Sequence, residues 1–249
     1  MAKGVGTTPK KNRAHIEQML SAAGRWLERL EDYPGWKEWN RRKVSLTLHQ
    51  DVWDERTKGT PEEFVFSVEV ARQHEVVFQF LGLHQTLEAL KDCEYYFRRY
   101  PFHGLPVSHH DHLTNICEMY FGRFYEFRER LKKYLNAVNA TLKDKKLDVG
   151  GLIKQFDKIF DDELRARNSV HHHQRFADAA IDRVYLTSVL SKQSLNDGWI
   201  SERKARYRAV TREWAERVQR RADAVADFLE AAAQATLTLC DFFPEPPSL

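Results

Sequence analysis

With 249 residues, 42% of them hydrophobic and 12% aromatic, the chain holds enough apolar mass for one large domain or two small ones. A charged fraction of 30% with a formal net charge of only +3 excludes a chain whose overall charge alone would demand a nucleic-acid partner, and leaves that question to local patches. Cys93, Cys117 and Cys240 are too few and too far apart for a disulfide framework or a thiolate zinc site, so three free thiols in a reducing compartment are expected.

The amino-terminal MAKGVGTTPKKNRAH carries basic residues with no apolar core behind them, and no later segment reaches the run of eighteen apolar residues that a membrane span needs. The expectation is a cytoplasmic chain with no membrane partner. Residues 1–12 read as a flexible tail. The first helix is predicted from about Arg13 to Leu30, where Ile16, Leu20, Ala23, Leu27 and Leu30 recur at spacings of three and four. Pro34-Gly35 ends it. From Trp36 to Lys58 the pattern is poor: VSLTLHQDVW alternates like a strand between charged flanks, and a connector with helical turns is expected.

Thr60-Pro61-Glu62-Glu63 then reads as a helix start, with a capping hydroxyl, proline at the first position and acids at the positive end of the dipole. The helix predicted from it runs to about Arg99, through Phe64, Val68, Ala71, Val76, Phe80, Leu83, Leu87 and Leu90. Pro101 to Pro106 forms a turn. A second long helix is predicted from about Leu113 to Leu142, a third from about Leu152 to Gln174, a fourth from about Phe176 to Ser194, and a last from about Ser201 to Cys240. With no repeat and no Gly/Ser-rich or Pro-rich linker, residues 13–243 are expected to form a single all-α domain, a bundle of four to five long helices, followed by a tail at 244–249.

The chemistry is concentrated in RARNSVHHHQRF, Arg165 to Phe176. Phe156, Ile159, Phe160 and Leu164 share one helical face, and one further turn of that stripe lands on Arg167, Val170 and His171. A guanidinium at an apolar position must face an internal carboxylate, a second subunit or a phosphate. Arginine and histidine together suffice for metal-free RNA scission. Imidazole titrates near pH ~6.5 and can take the 2′-hydroxyl proton or protonate the leaving 5′-oxygen, and guanidinium offers permanent charge and a planar fork to the phosphorane.

Arg167-Asn168-Ser169-Val170-His171-His172 resembles the Arg-x4-His signature of the HEPN superfamily, with the polar residue that often follows its arginine. YFGRFYEFRERLKKYL, Tyr120 to Leu135, and FDKIFDDELRARNSVHHHQRF are similar to an uncharacterised bacterial HEPN subfamily, so that the resemblance covers about residues 114–195. It implies a helical bundle, a metal-independent endoribonuclease without cofactor, and a homodimer in which two protomers bring arginine and histidine into one cleft. It also implies a role in toxin or antiviral defence with an antitoxin or defence partner. Carried onto this chain, it assigns Arg167 and His172 as catalytic, Asn168 as orienting, and His171 or His173 in support. Helix geometry alone favours His171, which lies ~40° from Arg167 around the axis, against ~140° for His172 and ~240° for His173. Where some family toxins carry a modified tyrosine, two residues after the histidine, this chain has Gln174.

Beside the histidines, Arg165 and Arg175 are expected RNA contacts. So are Arg206 and Arg208 in SERKARYRAVTREWAERVQRR, Ser201 to Arg221, which has eight Lys or Arg against three Glu with Tyr207 and Trp214 placed for base stacking. The competing reading there is a solvated face of Glu and Arg pairs. His109, His110 and His112 with His171 to His173 would supply imidazole for zinc, but consecutive helical residues diverge by ~100° and no metal is expected. HHDH precedes a helix, with Asp111 placed to cap it. The alternative to the nuclease is a catalytically silent helical module that binds RNA or a protein partner.

Overall fold

The computed structural model describes residues 13–49, 63–143, 146–172, 175–193 and 197–243, with the side chains of His49, His171, His172 and Asp197 excepted. The expected all-α bundle is what forms. Among the described residues there are eight α-helices and no strand: α1 Ala14–Arg29, α2 Trp36–His49, α3 Val68–Arg98, α4 His109–Thr141, α5 Val149–Ile159, α6 Asp161–His172, α7 Ala179–Gln193 and α8 Asp197–Leu239. The count exceeds four or five because five helices of 11 to 16 residues surround three long ones.

The three longest, α3, α4 and α8, make the centre, where α3 packs on both α4 and α8. α3 contributes Phe80, Leu83, Leu87 and Leu90, α4 contributes Tyr120, Phe124, Phe127 and Tyr134, and α8 contributes Val218, Ala222, Val225 and Leu229, all buried at helical spacing. α1 and α7 lie against α8, and α5, α6 and α7 lie against α4. Cys93, Cys117 and Cys240 are free and buried, as expected. No described helix is long and apolar enough to cross a membrane.

Several boundaries differ from expectation. After Gly35, whose φ of 79° turns the chain, the first part of the expected connector is the continuous helix α2, in which Trp36 and Trp39 share one face, and residues 50–58 lie outside the described residues. The Trp36 and Trp39 rings stack at 5.1 Å and pack on Phe64. Thr60, Pro61 and Glu62 lie outside the described residues. Glu63 to Ser67 has no regular secondary structure, Phe64 and Phe66 both pack against Tyr33 and Trp36, and α3 begins only where Ser67 caps the Val70 N–H.

The third predicted helix is two helices. Phe160 (φ −111°, ψ 26°) ends α5 and is fully buried against Phe124, Phe156 and Phe228. Asp161, Asp162 and Glu163 then form an acidic first turn for α6, a start signal that the apolar stripe had masked. The stripe itself is reset by this break. Ile159 is exposed, and the buried positions are Phe156, Phe160 and Glu163. Asp178 accepts the N–H groups of Ala180 and Ile181 to start α7, and α8 starts at Asp197, four residues before Ser201.

Candidate functional site

At the head of α6, Glu163 is fully buried, and it is the one carboxylate or cation among the described residues in that state. Arg221 donates to it through Nε at 2.9 Å and Nη2 at 2.6 Å, Arg217 through Nη2 at 3.0 Å, and the Tyr120 hydroxyl at 3.4 Å. Burial, reinforced by the Glu163 charge, raises the Tyr120 phenol far above its ordinary range, so it stays a donor. Both arginines are partly solvated and lie over aromatic rings, Arg217 over Trp214 at 4.9 Å and Arg221 over Phe160 at 5.4 Å.

One turn later on the same face stands Arg167. Its guanidinium lies 3.9 Å from the centroid of the Tyr125 ring of α4, and its Nη1 donates to Asn168 Oδ1 at 3.2 Å. Among the described residues no carboxylate pairs with it, because Asp161 pairs with Arg165 at 2.8 Å and Glu163 is taken by α8. The internal carboxylate sought for Arg167 therefore belongs to Arg217 and Arg221, and Arg167 is covered instead by an aromatic face. It is a half-buried cation, and among the described residues only its Nη1 has a hydrogen-bond acceptor.

α6 ends at His172. The side chains of His171 and His172 lie outside the described residues, as do His173 and Gln174 altogether. Asn168 is exposed, and among the described residues its side chain bonds only its neighbour Arg167. Arg165 is a solvated helix-face cation in a surface ion pair. Arg175 donates to Asn115 Oδ1 at 2.7 Å and lies 3.8 Å from Asp111 and Glu118, so it ties the chain after α6 back to the amino-terminal half of α4. Arg206 is paired with Glu202 at 2.6 Å and Arg208 is exposed, ~17 Å and ~14 Å along α8 from Arg217.

The stacking role considered for Trp214 is excluded: it is 4% exposed and stacked on Phe97 inside the core. Tyr207 is half-buried against His109 and Tyr100. The HHDH motif opens α4, but its cap is Ser108, whose hydroxyl accepts the Asp111 N–H and donates to the Asp111 carboxylate. Its histidines diverge. His109 stacks on Tyr100 at 3.9 Å and is held neutral by burial, with Arg203, His103 and His112 acting in the same sense. His110 faces Asp182 at 3.5 Å and Asp111 at 3.7 Å, and buried His112 bonds the carbonyls of Tyr96 and Arg99. Among the described residues no group of three His, Cys, Asp or Glu is placed to hold a metal ion.

Sequence reasoning missed Tyr125, Arg217 and Arg221; Glu163 is one of the internal carboxylates it offered to Arg167, but it is held by α8 instead. The signal for Glu163 was its place four residues before Arg167 on the same helical face; for Tyr125 there was only its position in the aromatic and basic block Tyr120 to Leu135. No family model matches the chain, and comparison with curated proteins and with solved structures finds no match.

Proposed function

We propose that the chain is a HEPN-type, metal-independent endoribonuclease, active as a homodimer in the cytoplasm. The observation that carries the reading is Arg167: a half-buried guanidinium seated on Tyr125, unpaired with any described carboxylate, one turn before the helix end that bears His171 and His172. A cation kept from internal neutralisation has its charge available to an anion, and the planar fork suits a phosphate.

In the proposed reaction a histidine, His172 by the Arg-x4-His spacing, removes the proton of a ribose 2′-hydroxyl. The oxygen attacks the adjacent phosphorus, the bond to the 5′-oxygen breaks, and an imidazolium protonates the leaving oxygen. A 2′,3′-cyclic phosphate and a 5′-hydroxyl result. Arg167 stabilises the doubly negative phosphorane, with Asn168 holding its Nη1 edge and His171 or His173 in support. Arg165, Arg175, Arg206 and Arg208 contribute solvated positive charge along the RNA. A role in toxin or antiviral defence, controlled by an antitoxin or defence partner, accompanies the family resemblance.

The test is incubation of a mixed-sequence RNA with the protein in EDTA, alongside folded Arg167→Ala and His172→Ala variants. Cleavage by the wild type, lost in both variants, is the expected result. Intact RNA at concentrations where the protein is dimeric would overturn the nuclease and leave an RNA- or protein-binding helical module.

A further inference from the structure

We propose that Glu163 is the positioning residue of the Arg167 site, acting through the clamp that it forms with Arg217 and Arg221 between α6 and α8. The inference rests on reading Arg167 as the phosphate-binding group.

α6 is poorly equipped to hold its own place. Its twelve residues, DDELRARNSVHH, offer only Leu164, Ala166 and Val170 as apolar side chains, and Leu164 and Ala166 are just partly buried on the core. Apolar area of that size does not fix the rotation of a helix about its axis. Among the described residues, every hydrogen bond and ion pair from α6 to α8 runs through the Glu163 carboxylate. On the other side, two successive turns of α6 are matched to α4: Tyr120 donates to Glu163, and Tyr125 lies under Arg167. Glu163 and Arg167 are four residues apart and ~40° apart around the axis, so a rotation that withdraws the carboxylate from Arg217 and Arg221 carries Arg167 off the Tyr125 ring.

The ionic composition supports a role in orientation. A buried carboxylate between two guanidiniums is costly to desolvate, and apolar residues of similar size commonly stabilise such a position as well or better. What an apolar residue lacks is direction. The forked donors of Arg221 and the single donor of Arg217 approach Glu163 from one helix, and Tyr120 approaches from another, so the carboxylate accepts them together in one helix rotation.

The experiment follows the Arg167 Nε–Hε resonance in protein labelled with 15N-arginine, assigned by its loss in Arg167→Lys. Tyr125→Leu supplies the position of the signal without the ring current. Glu163→Gln leaves two arginines without their carboxylate and is at risk of unfolding, so the double variant Glu163→Gln/Arg221→Gln, which removes one charge of each sign, accompanies it. Folding is checked by circular dichroism. In whichever variant folds, the Arg167 signal is expected to move more than halfway to its Tyr125→Leu position, and RNA cleavage to fall at least tenfold in kcat with KM within threefold. A folded variant in which the resonance stays at its wild-type position, or in which kcat is unchanged, overturns the proposal. Wild-type protein that leaves RNA intact sinks the nuclease reading alone, and the resonance still decides whether Glu163 positions Arg167.

Discussion

The guanidinium of Arg167 lies over the ring of Tyr125, at 3.9 Å from its centroid, so that the cation joins α6 to α4. Such contacts contribute about 0.5–1 kcal/mol at exposed sites, too little to hold a fold but enough to favour one rotamer of a long side chain. Tyr125→Leu is therefore expected to lower unfolding free energy in urea by no more than ~1 kcal/mol. Under the proposed function it slows RNA cleavage severalfold, whereas Tyr125→Phe keeps both stability and rate. A Leu variant that cleaves as fast as wild type would detach Tyr125 from the site.

Trp214 separates core from surface in the basic stretch of α8. At 4% exposure, packed among Phe97, Tyr120, Phe121 and Phe176, it is a core residue. Trp214→Ala is expected to cost about 3–5 kcal/mol by chemical denaturation. Trp214→Phe, which keeps an apolar ring, leaves RNA affinity within twofold of wild type in a filter-binding titration. Weakened RNA binding in a Phe variant of normal stability would return Trp214 to the surface role.

An acid limb of stability is built into the start of α1. Arg13, at its N-cap, provides no side-chain cap, and the Glu230 carboxylate of α8 accepts the N–H groups of His15 and Ile16 at 2.9 Å each, together with His15 Nδ1 at 2.7 Å. Burial alone would raise the Glu230 carboxyl, but these donors outweigh it and hold it below its ordinary value of 4.5. The folded-state value is depressed, so the contribution is complete above the unfolded value and is lost as pH falls through the folded one. Glu230→Gln is expected to cost roughly 1–2 kcal/mol near neutrality, and progressively less as the pH falls into the acid range through the folded-state value. Thermal melts of both proteins across that range check it, and parallel curves would remove Glu230 from the acid limb.

The three thiols should be silent in the native state. Burial pushes Cys93 up to about 12, and it raises Cys117 and Cys240 as well. A thiol so shifted supplies almost no thiolate at neutral pH. Ellman's reagent at pH 7.5 is expected to label none of them in the folded protein and three in denaturant; one fast-reacting native thiol would contradict the buried assignment.

Long periodic runs determined most of the fold. The stripes of α3, α4 and α8 are legible because each long helix buries one face continuously, which imposes a spacing of three and four over many turns. The short helices α1 and α7 were legible in the same way, but the breaks between elements were not, since each is decided by contacts distant in the chain. Phe160 breaks a continuous stripe because Phe124 and Phe228 enclose it, and Glu63 to Ser67 stays out of α3 because Phe64 and Phe66 are drawn to Tyr33 and Trp36.

The candidate site divides in the same way. The chemistry of Arg167 and its neighbouring histidines is written in residue types and spacing, which are local. That Glu163 belongs to Arg217 and Arg221, and that Arg167 rests on Tyr125, depends on which helices meet. A spacing along one helix specifies a shared face, but the partner of a charge is chosen by three-dimensional distance, through pairs more than forty residues apart, and only the packed bundle settles it.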